Sequence, residues 1–354
     1  MANLTRRELI KNGGIAAVAA GILPQGVALH AQTPATSDLS FVNPELREVA
    51  RQFLSSNAMP DLSASTLRTA RQGMNSFASP PLSAPAFTKQ SIKSLTGAAE
   101  VSVYVINAQP GTSRPAILHT HGGGYVAGEA LGGVAGLQDI AAALDCVIVT
   151  VDYRLAPETT FKGSIEDNYT ALRWLHANGS DIGADPKRIA VMGESAGGGH
   201  AALLALTARD RGEVPIIFQV LIYPMLDDRT GVTLHPPSPI GTILWTAANN
   251  RFGWHSFLGQ APGTREVPEQ AVPARHRSLS GLPPAFIGVG SIDLFVDEDI
   301  AYARRLIDAG VSTELVVMPG AFHAFDAIAR GTSLAKSFTA AKLDALRRAF
   351  ALAA

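Results

Sequence analysis

From about residue 99 onward the chain alternates two textures. Short runs of almost unbroken apolar residues, rich in Val and Ile, fall at 101–106, 116–120, 147–152, 188–192, 218–223, 285–289 and 313–318. Between them lie longer stretches with apolar positions at helical spacing, at 137–144, 165–176, 196–209, 298–309 and 334–351. A strand with one face in water alternates apolar and polar residues; a run that is apolar throughout suits a strand covered on both faces. Strands alternating with helices therefore predict an α/β fold with a mostly parallel, doubly wound sheet. Glycine directly after a helical pattern and ahead of a strand, as in Asp308-Ala309-Gly310 before the run at 313, is the expected helix stop.

Two segments break the alternation. Residues 32–85 are rich in Ser, Pro and Ala and carry helical patterns at 44–54 and 65–74. Residues 227–269 hold several prolines, Trp245, Phe252 and Trp254. Together they are read as a helical cap over the carboxyl ends of the strands, with the α/β domain formed by 86–226 and 270–354. The three aromatic residues fit two roles equally, lining a ligand pocket or packing as core. No internal repeat is visible.

Residues 1–31 read differently again. Arg6, Arg7 and Lys11 come first, a short apolar stretch spans 15–23, and small residues follow. That order is an export signal, and the stretch is too short to cross a bilayer. Thr5-Arg6-Arg7-Glu8-Leu9-Ile10-Lys11 resembles the bacterial twin-arginine signal, with Leu9 where that signal usually has Phe. The expectation is cleavage near Ala28 or Ala31, passage through the twin-arginine export machinery, and a periplasmic or secreted protein. The competing reading is an amphipathic first helix of the mature fold.

Charge narrows the partners. Among 354 residues, Lys and Arg number 29 and Asp and Glu 30, a net charge of -1. Nothing in that balance favours nucleic acid or an anionic membrane surface. The single cysteine, Cys146, excludes an internal disulfide and a four-cysteine zinc site, and its apolar surroundings make it a buried core residue.

Chemistry concentrates at the ends of the strand runs. Gly193-Glu194-Ser195-Ala196-Gly197 is a G-x-S-x-G. The pentapeptide alone is weak evidence, but here a strand run enters it and an Ala/Leu-rich helix leaves it, the strand–turn–helix of a nucleophile elbow. The turn is sharp enough to leave no room for side chains two residues before and after the serine. The helix N-terminus sets free N–H groups beside Ser195. His121-Gly122-Gly123-Gly124-Tyr125 follows the strand run at 116–120, and its glycines let several N–H groups converge on one point, with that of Ala196, as an oxyanion hole requires. No nucleotide-binding glycine pattern follows it. A serine needs a histidine to take its proton and a carboxylate to orient that histidine. His323 lies just after the last strand run and Asp293 just after the run at 285–289, giving the chain order Ser, Asp, His. Asp297 and Asp299 start a helix and are read as structural. Glu194 is read as a structural hydrogen-bonding group. His119 and His121 alternate on one strand, but no third ligand is recognisable, so no metal is expected.

These motifs resemble the bacterial hormone-sensitive-lipase-like esterases of the α/β-hydrolase superfamily. The matching pieces are HGGGY at 121–125, DYRLAPE at 152–158, IEDNYTALRWL at 165–175, GADPKRIAVMGESAGG at 183–198, LPPAFIGVGSIDLFVDE at 282–298 and GAFHAFD at 320–326, in the family's order. The resemblance implies Ser195 as nucleophile, Asp293 as acid and His323 as base. It places the oxyanion donors in the 122–124 run, at Gly123 and Gly124, with Ala196, and makes Asp152, Tyr153 and Arg154 a brace for that loop. It further implies a small-molecule ester substrate of short to medium acyl chain and no cofactor. Two positions depart from the family. Leu294-Phe295 follows Asp293 in place of Pro-Leu, and Ala324 follows His323 in place of Gly. A lactonase or amidase of the same fold, or a non-catalytic ligand-binding relative, are the alternatives.

Overall fold

The computed structural model describes residues 38–353 apart from 57–60, 77 and 98. The segment read as a twin-arginine signal, 1–31, lies outside the described residues. Two short helices come first, α1 (Arg47–Ser56) and α2 (Leu67–Ser76). The sheet then begins with β1 (Phe87–Ile92), β2 (Val101–Ile106) and β3 (Arg114–Thr120). Helices and strands alternate from there: α3 (Ala130–Leu144), β4 (Val147–Asp152), α4 (Phe161–Asn178), β5 (Ala184–Glu194), α5 (Ala196–Arg211) and β6 (Phe218–Ile222). The remainder is α6 (Ala247–Leu258), β7 (Ala285–Gly290), α7 (Val296–Asp308), β8 (Thr313–Met318), α8 (Phe325–Ile328) and α9 (Ser333–Leu352).

The eight strands form one sheet in the order β1-β2-β4-β3-β5-β6-β7-β8. β1 and β2, and β2 and β4, pair antiparallel; every other pairing is parallel. Successive strand residues divide between two cores. Val103, Leu118 and Val149 face one, with Leu172 of α4 and Leu203 of α5; Tyr104, Ile117 and Ile148 face the other, with Leu137 of α3 and Phe338 of α9. Each such side chain contributes about 1.5–3 kcal/mol by leaving water, which holds helices on both faces. The unbroken apolar runs in the sequence are the consequence.

The chain runs from β3 to β4 on one side and then returns to place β5 on the other side of β3. The carboxyl ends of β3 and β5 therefore open side by side, at the kind of reversal where open sheets hold their sites.

β1 has no counterpart in the apolar pattern. Its residues Phe-Thr-Lys-Gln-Ser-Ile are largely solvent-exposed at the sheet edge, and pairing with β2 holds it in place. α3 begins seven residues before its apolar pattern does. Its first half carries Gly132, Gly133 and Gly136, which are poor helix formers, yet Asp152 Oδ1 accepts the Ala130 N–H (3.1 Å) and starts the helix. Within 227–269 the regular element is α6, whose Trp254 and Phe257 are buried against Tyr125. The Leu62 N–H donates to Asn249 Oδ1 of that helix (2.7 Å), so the N-terminal segment meets it there. Among the described residues no helix is long and apolar enough to cross a membrane. Cys146 is fully buried, and burial pushes its thiol up to about 12, which leaves it unreactive.

Candidate active site

Ser195 stands between β5 and α5 with φ 58° and ψ -124°, in the left-handed half of backbone space where a side chain is strained. Its N–H donates to Ile222 O (2.9 Å), and its carbonyl accepts from Gly199 (3.0 Å) and Met225 (2.9 Å). Those three bonds hold the strain in place. A Cβ at Gly193 would strike the Gly197 carbonyl, and one at Gly197 would strike the Thr120 carbonyl. The two glycines of the motif are thus required by close backbone approach.

His323 Nε2 lies 2.9 Å from Ser195 Oγ, and His323 Nδ1 lies 2.8 Å from Asp293 Oδ2. With Nδ1–H donating to the carboxylate, Nε2 is left to accept the serine proton. Asp293 is fully buried, and its second oxygen accepts the Phe295 N–H (3.0 Å). The loops carrying acid and base are tied to each other: the Ile292 N–H donates to Ala321 O (3.1 Å) and the Gly320 N–H to Ser291 Oγ (2.8 Å). Asn43 of the N-terminal segment clamps the same loop by donating to Gly320 O (2.9 Å). Ala324 has φ 58°, so the glycine usual in the resembling family would sit there without strain.

The glycine loop after β3 lies over the elbow. A Cβ at Gly122 would sit 3.0 Å from Glu194 O and 3.4 Å from Ser195 Cβ. Gly123 has φ 126° and Gly124 φ 60°, and the Gly123 carbonyl accepts from Val126 (3.1 Å) and Ala127 (2.9 Å). Tyr153 Oη donates to His121 O (2.6 Å) while its ring stacks on the His121 imidazole at 4.2 Å. Asp152 caps α3, and Arg154 grips Asp167 through two bonds of 2.8 Å. The segment 152–154 therefore contacts the loop and the helices beside it.

His119 and His121 turn to different partners. His119 joins Thr150 Oγ1 and Glu194 Oε2, each at 2.8 Å; His121 Nδ1 donates to Gly122 O (2.8 Å). Burial drives the His121 imidazole down to about 4. Burial alone would raise the Glu194 carboxyl, but His119 and Lys342 outweigh it and leave it below the usual range. Glu298 and Asp299 are raised well above theirs, first by burial and then by neighbouring carboxylates.

Several side chains around the site carry no motif. The Trp245 indole lies against Gly124, with its ring centre 6.3 Å from that of His323, and its Nε1 donates to Asn250 Oδ1 (3.2 Å). Tyr223, at the end of β6, presents its ring edge-on to His323 at 4.8 Å, and its hydroxyl donates to Asp326 Oδ1 (2.8 Å). Trp254 of α6 belongs to the core, fully buried.

A family model described as the alpha/beta hydrolase fold matches residues 117–327. The chain is 37% identical to the carboxylesterase NlhH of Mycobacterium tuberculosis over 251 residues, 66% of this chain and 74% of that one. It is 38% identical to the esterase LipI of the same organism over 236 residues, 66% and 72% of the two chains. Among solved structures it is similar to a bacterial heroin esterase, with TM-score 0.78 and 34% identity over 88% of this chain and 98% of the other. The esterase LipW from Mycobacterium marinum gives TM-score 0.76 and 32% identity, over 89% and 98%.

Proposed function

The chain belongs to the α/β-hydrolase fold family, in its hormone-sensitive-lipase-like branch, and from that premise we propose that it is a serine carboxylic-ester hydrolase working through an acyl-enzyme. The observation that carries the reading is the line Ser195 Oγ–His323 Nε2–His323 Nδ1–Asp293 Oδ2, with spacings of 2.9 Å and 2.8 Å, on a strained elbow. The relatives named carboxylesterase and esterase support the bond type.

In this mechanism His323 Nε2 takes the Ser195 proton as Oγ attacks the ester carbonyl carbon. The N–H groups of Gly123, Gly124 and Ala196 receive the oxyanion, each such donor contributing about 10²–10³ in rate. Asp293 steadies the imidazolium. Collapse breaks the ester C–O bond, and the leaving alkoxide takes the proton from Nε2. Water then gives its proton to Nε2, attacks the acyl-enzyme, and restores Ser195 with release of the carboxylic acid.

The test is hydrolysis of p-nitrophenyl esters from acetate to dodecanoate by wild type and Ser195→Ala in parallel. Equal activity in the two proteins would remove Ser195 from the chemistry.

The same reading assigns residues 32–85 and 227–269 to a cap and makes Trp245 the wall that limits acyl length. Trp245→Ala is expected to move the best substrate toward longer acyl chains, because the indole lies between Gly124 and His323. It should also slow acetate hydrolysis by loosening the glycine loop. An unchanged chain-length profile would place the acyl pocket elsewhere.

The reading extends to export. Residues 1–31 act as a twin-arginine signal, on the strength of Arg6, Arg7 and the sequence around them. Arg6→Lys with Arg7→Lys should leave enzyme and activity in the cytoplasmic fraction of a bacterial host. Unaltered export of that variant would refute the assignment.

A further inference from the structure

Lys342 lies on the apolar face of α9, among Phe338, Ala345 and Leu346, with its side chain only 7% exposed. A buried lysine is rare without a partner. Its ammonium lies 3.8 Å from Asp326 Oδ2, itself buried. The other oxygen of Asp326 accepts the Tyr223 hydroxyl, and the Tyr223 ring meets His323 edge-on. Tyr223 is held by its own backbone: its N–H donates to Gly288 O (2.6 Å), and the preceding Ile222 carbonyl holds Ser195. Lys342 also acts on Glu194, the residue before the nucleophile. One buried cation thus faces both the elbow and the base loop from below.

The charged and titratable groups around His323 come from every side. Asp293 follows β7, Tyr223 follows β6, and Asp326 is on α8. Glu194 closes β5 with His119 of β3 on it, Glu298 and Asp299 lie on α7 beside Asp293, and Lys342 stands on α9. Burial holds Glu298 and Asp299 toward their uncharged form, whereas the carboxylates of Asp293, Glu194 and Asp326 favour a protonated imidazole, which cannot act as base. Lys342 opposes them.

We propose that Lys342 is a positioning residue: acting through Asp326 and Tyr223, its buried charge offsets the carboxylates around the triad and keeps His323 free to accept the serine proton at working pH. The inference rests on the serine-esterase reading above. A unit charge acting through protein across the span of a few side chains is worth about 0.5 pH unit or more.

The experiment is the pH profile of kcat/KM and kcat for p-nitrophenyl acetate, with Ser195→Ala as the control for the chemistry. In Lys342→Met the acid limb should move to higher pH by about 0.5 unit, so activity below the limb falls about threefold while the alkaline plateau and KM stay near wild type. Lys342→Arg should restore the limb. Asp326→Asn, with the lysine kept, should move it the other way, and it decides the matter if Lys342→Met does not fold. A role in stability alone would lower melting temperature and leave every limb where wild type has it, which would overturn the proposal. If Ser195→Ala keeps its activity, the esterase mechanism itself has failed, a separate outcome.

Discussion

Ser195→Ala is expected to lower turnover of a p-nitrophenyl ester by about 10⁶, and His323→Ala by a similar amount. The two losses should not add. The histidine is useful only because Ser195 Oγ lies 2.9 Å from its Nε2, and the serine is nucleophilic only while that nitrogen takes its proton. The double variant should therefore retain about the same residual rate as either single one, the remainder coming from the N–H donors and from substrate binding. Asp293→Asn should cost about 10⁴. Its amide can still meet His323 Nδ1, but it favours the tautomer with the proton on Nε2, where it blocks acceptance from Ser195. Single-turnover kinetics with p-nitrophenyl acetate separate the cases, since the nitrophenol burst reports acylation directly. Losses that multiply across the double variant would show that Ser195 and His323 do not act as one unit.

How much of this was legible in the chain follows from what each feature demands of the backbone. The elbow was visible because Gly193 and Gly197 lie where backbone meets backbone and no Cβ fits. The helical and strand patterns were visible because the sheet is covered on both faces. They placed β2, β4 and β8 at their observed bounds, left β5 short at both ends and left α3 short at its start. β1 was not visible, since an edge strand needs only backbone partners and its side chains face water. The support beneath the triad was hidden for another reason. Tyr223, Asp326 and Lys342 lie on three separate elements, and the sheet order alone brings them together. One signal was present: Lys342 interrupts an apolar stripe, four residues after Phe338 and four before Leu346, where a charge is out of place without a buried partner. Trp245 illustrates the limit. Pattern alone leaves it between core and pocket; the structure buries it against Gly124 with its ring centre 6.3 Å from that of His323, and the chain-length profile of Trp245→Ala decides its second role.

Acid should destabilise this protein early, and His200 should be a principal cause. His200 lies on α5 behind the glycine loop, 1% exposed, with no hydrogen-bond partner for either ring nitrogen. Tyr125, Tyr153 and Phe257 surround it edge-on at 5.0, 4.5 and 5.4 Å. Burial, with a smaller push from His121, drives its imidazole down to about 3. The sign follows from where the protons go. In the unfolded chain a histidine titrates near 6.5, so between there and about 3 the unfolded state holds a proton that the folded state refuses. Stability from this group is whole above 6.5 and is lost as the pH falls toward 3, at up to about 1.4 kcal/mol per pH unit and several kcal/mol in all. His121, at about 4, adds to the same slope. His200→Phe keeps an aromatic ring among aromatic rings and removes the titration. Its larger ring costs about 1–3 kcal/mol by overpacking, but that cost is the same at every pH. Urea unfolding at intervals from pH 7 to pH 4 should therefore give a variant whose stability declines less steeply than wild type, by about 1.4 kcal/mol per unit below pH 6. Parallel curves would mean that His200 is not excluded from protonation in the folded state. Convergent ones would tie the acid limit of the fold to the packing behind the glycine loop, where Tyr153 holds both His200 and the His121 carbonyl in place.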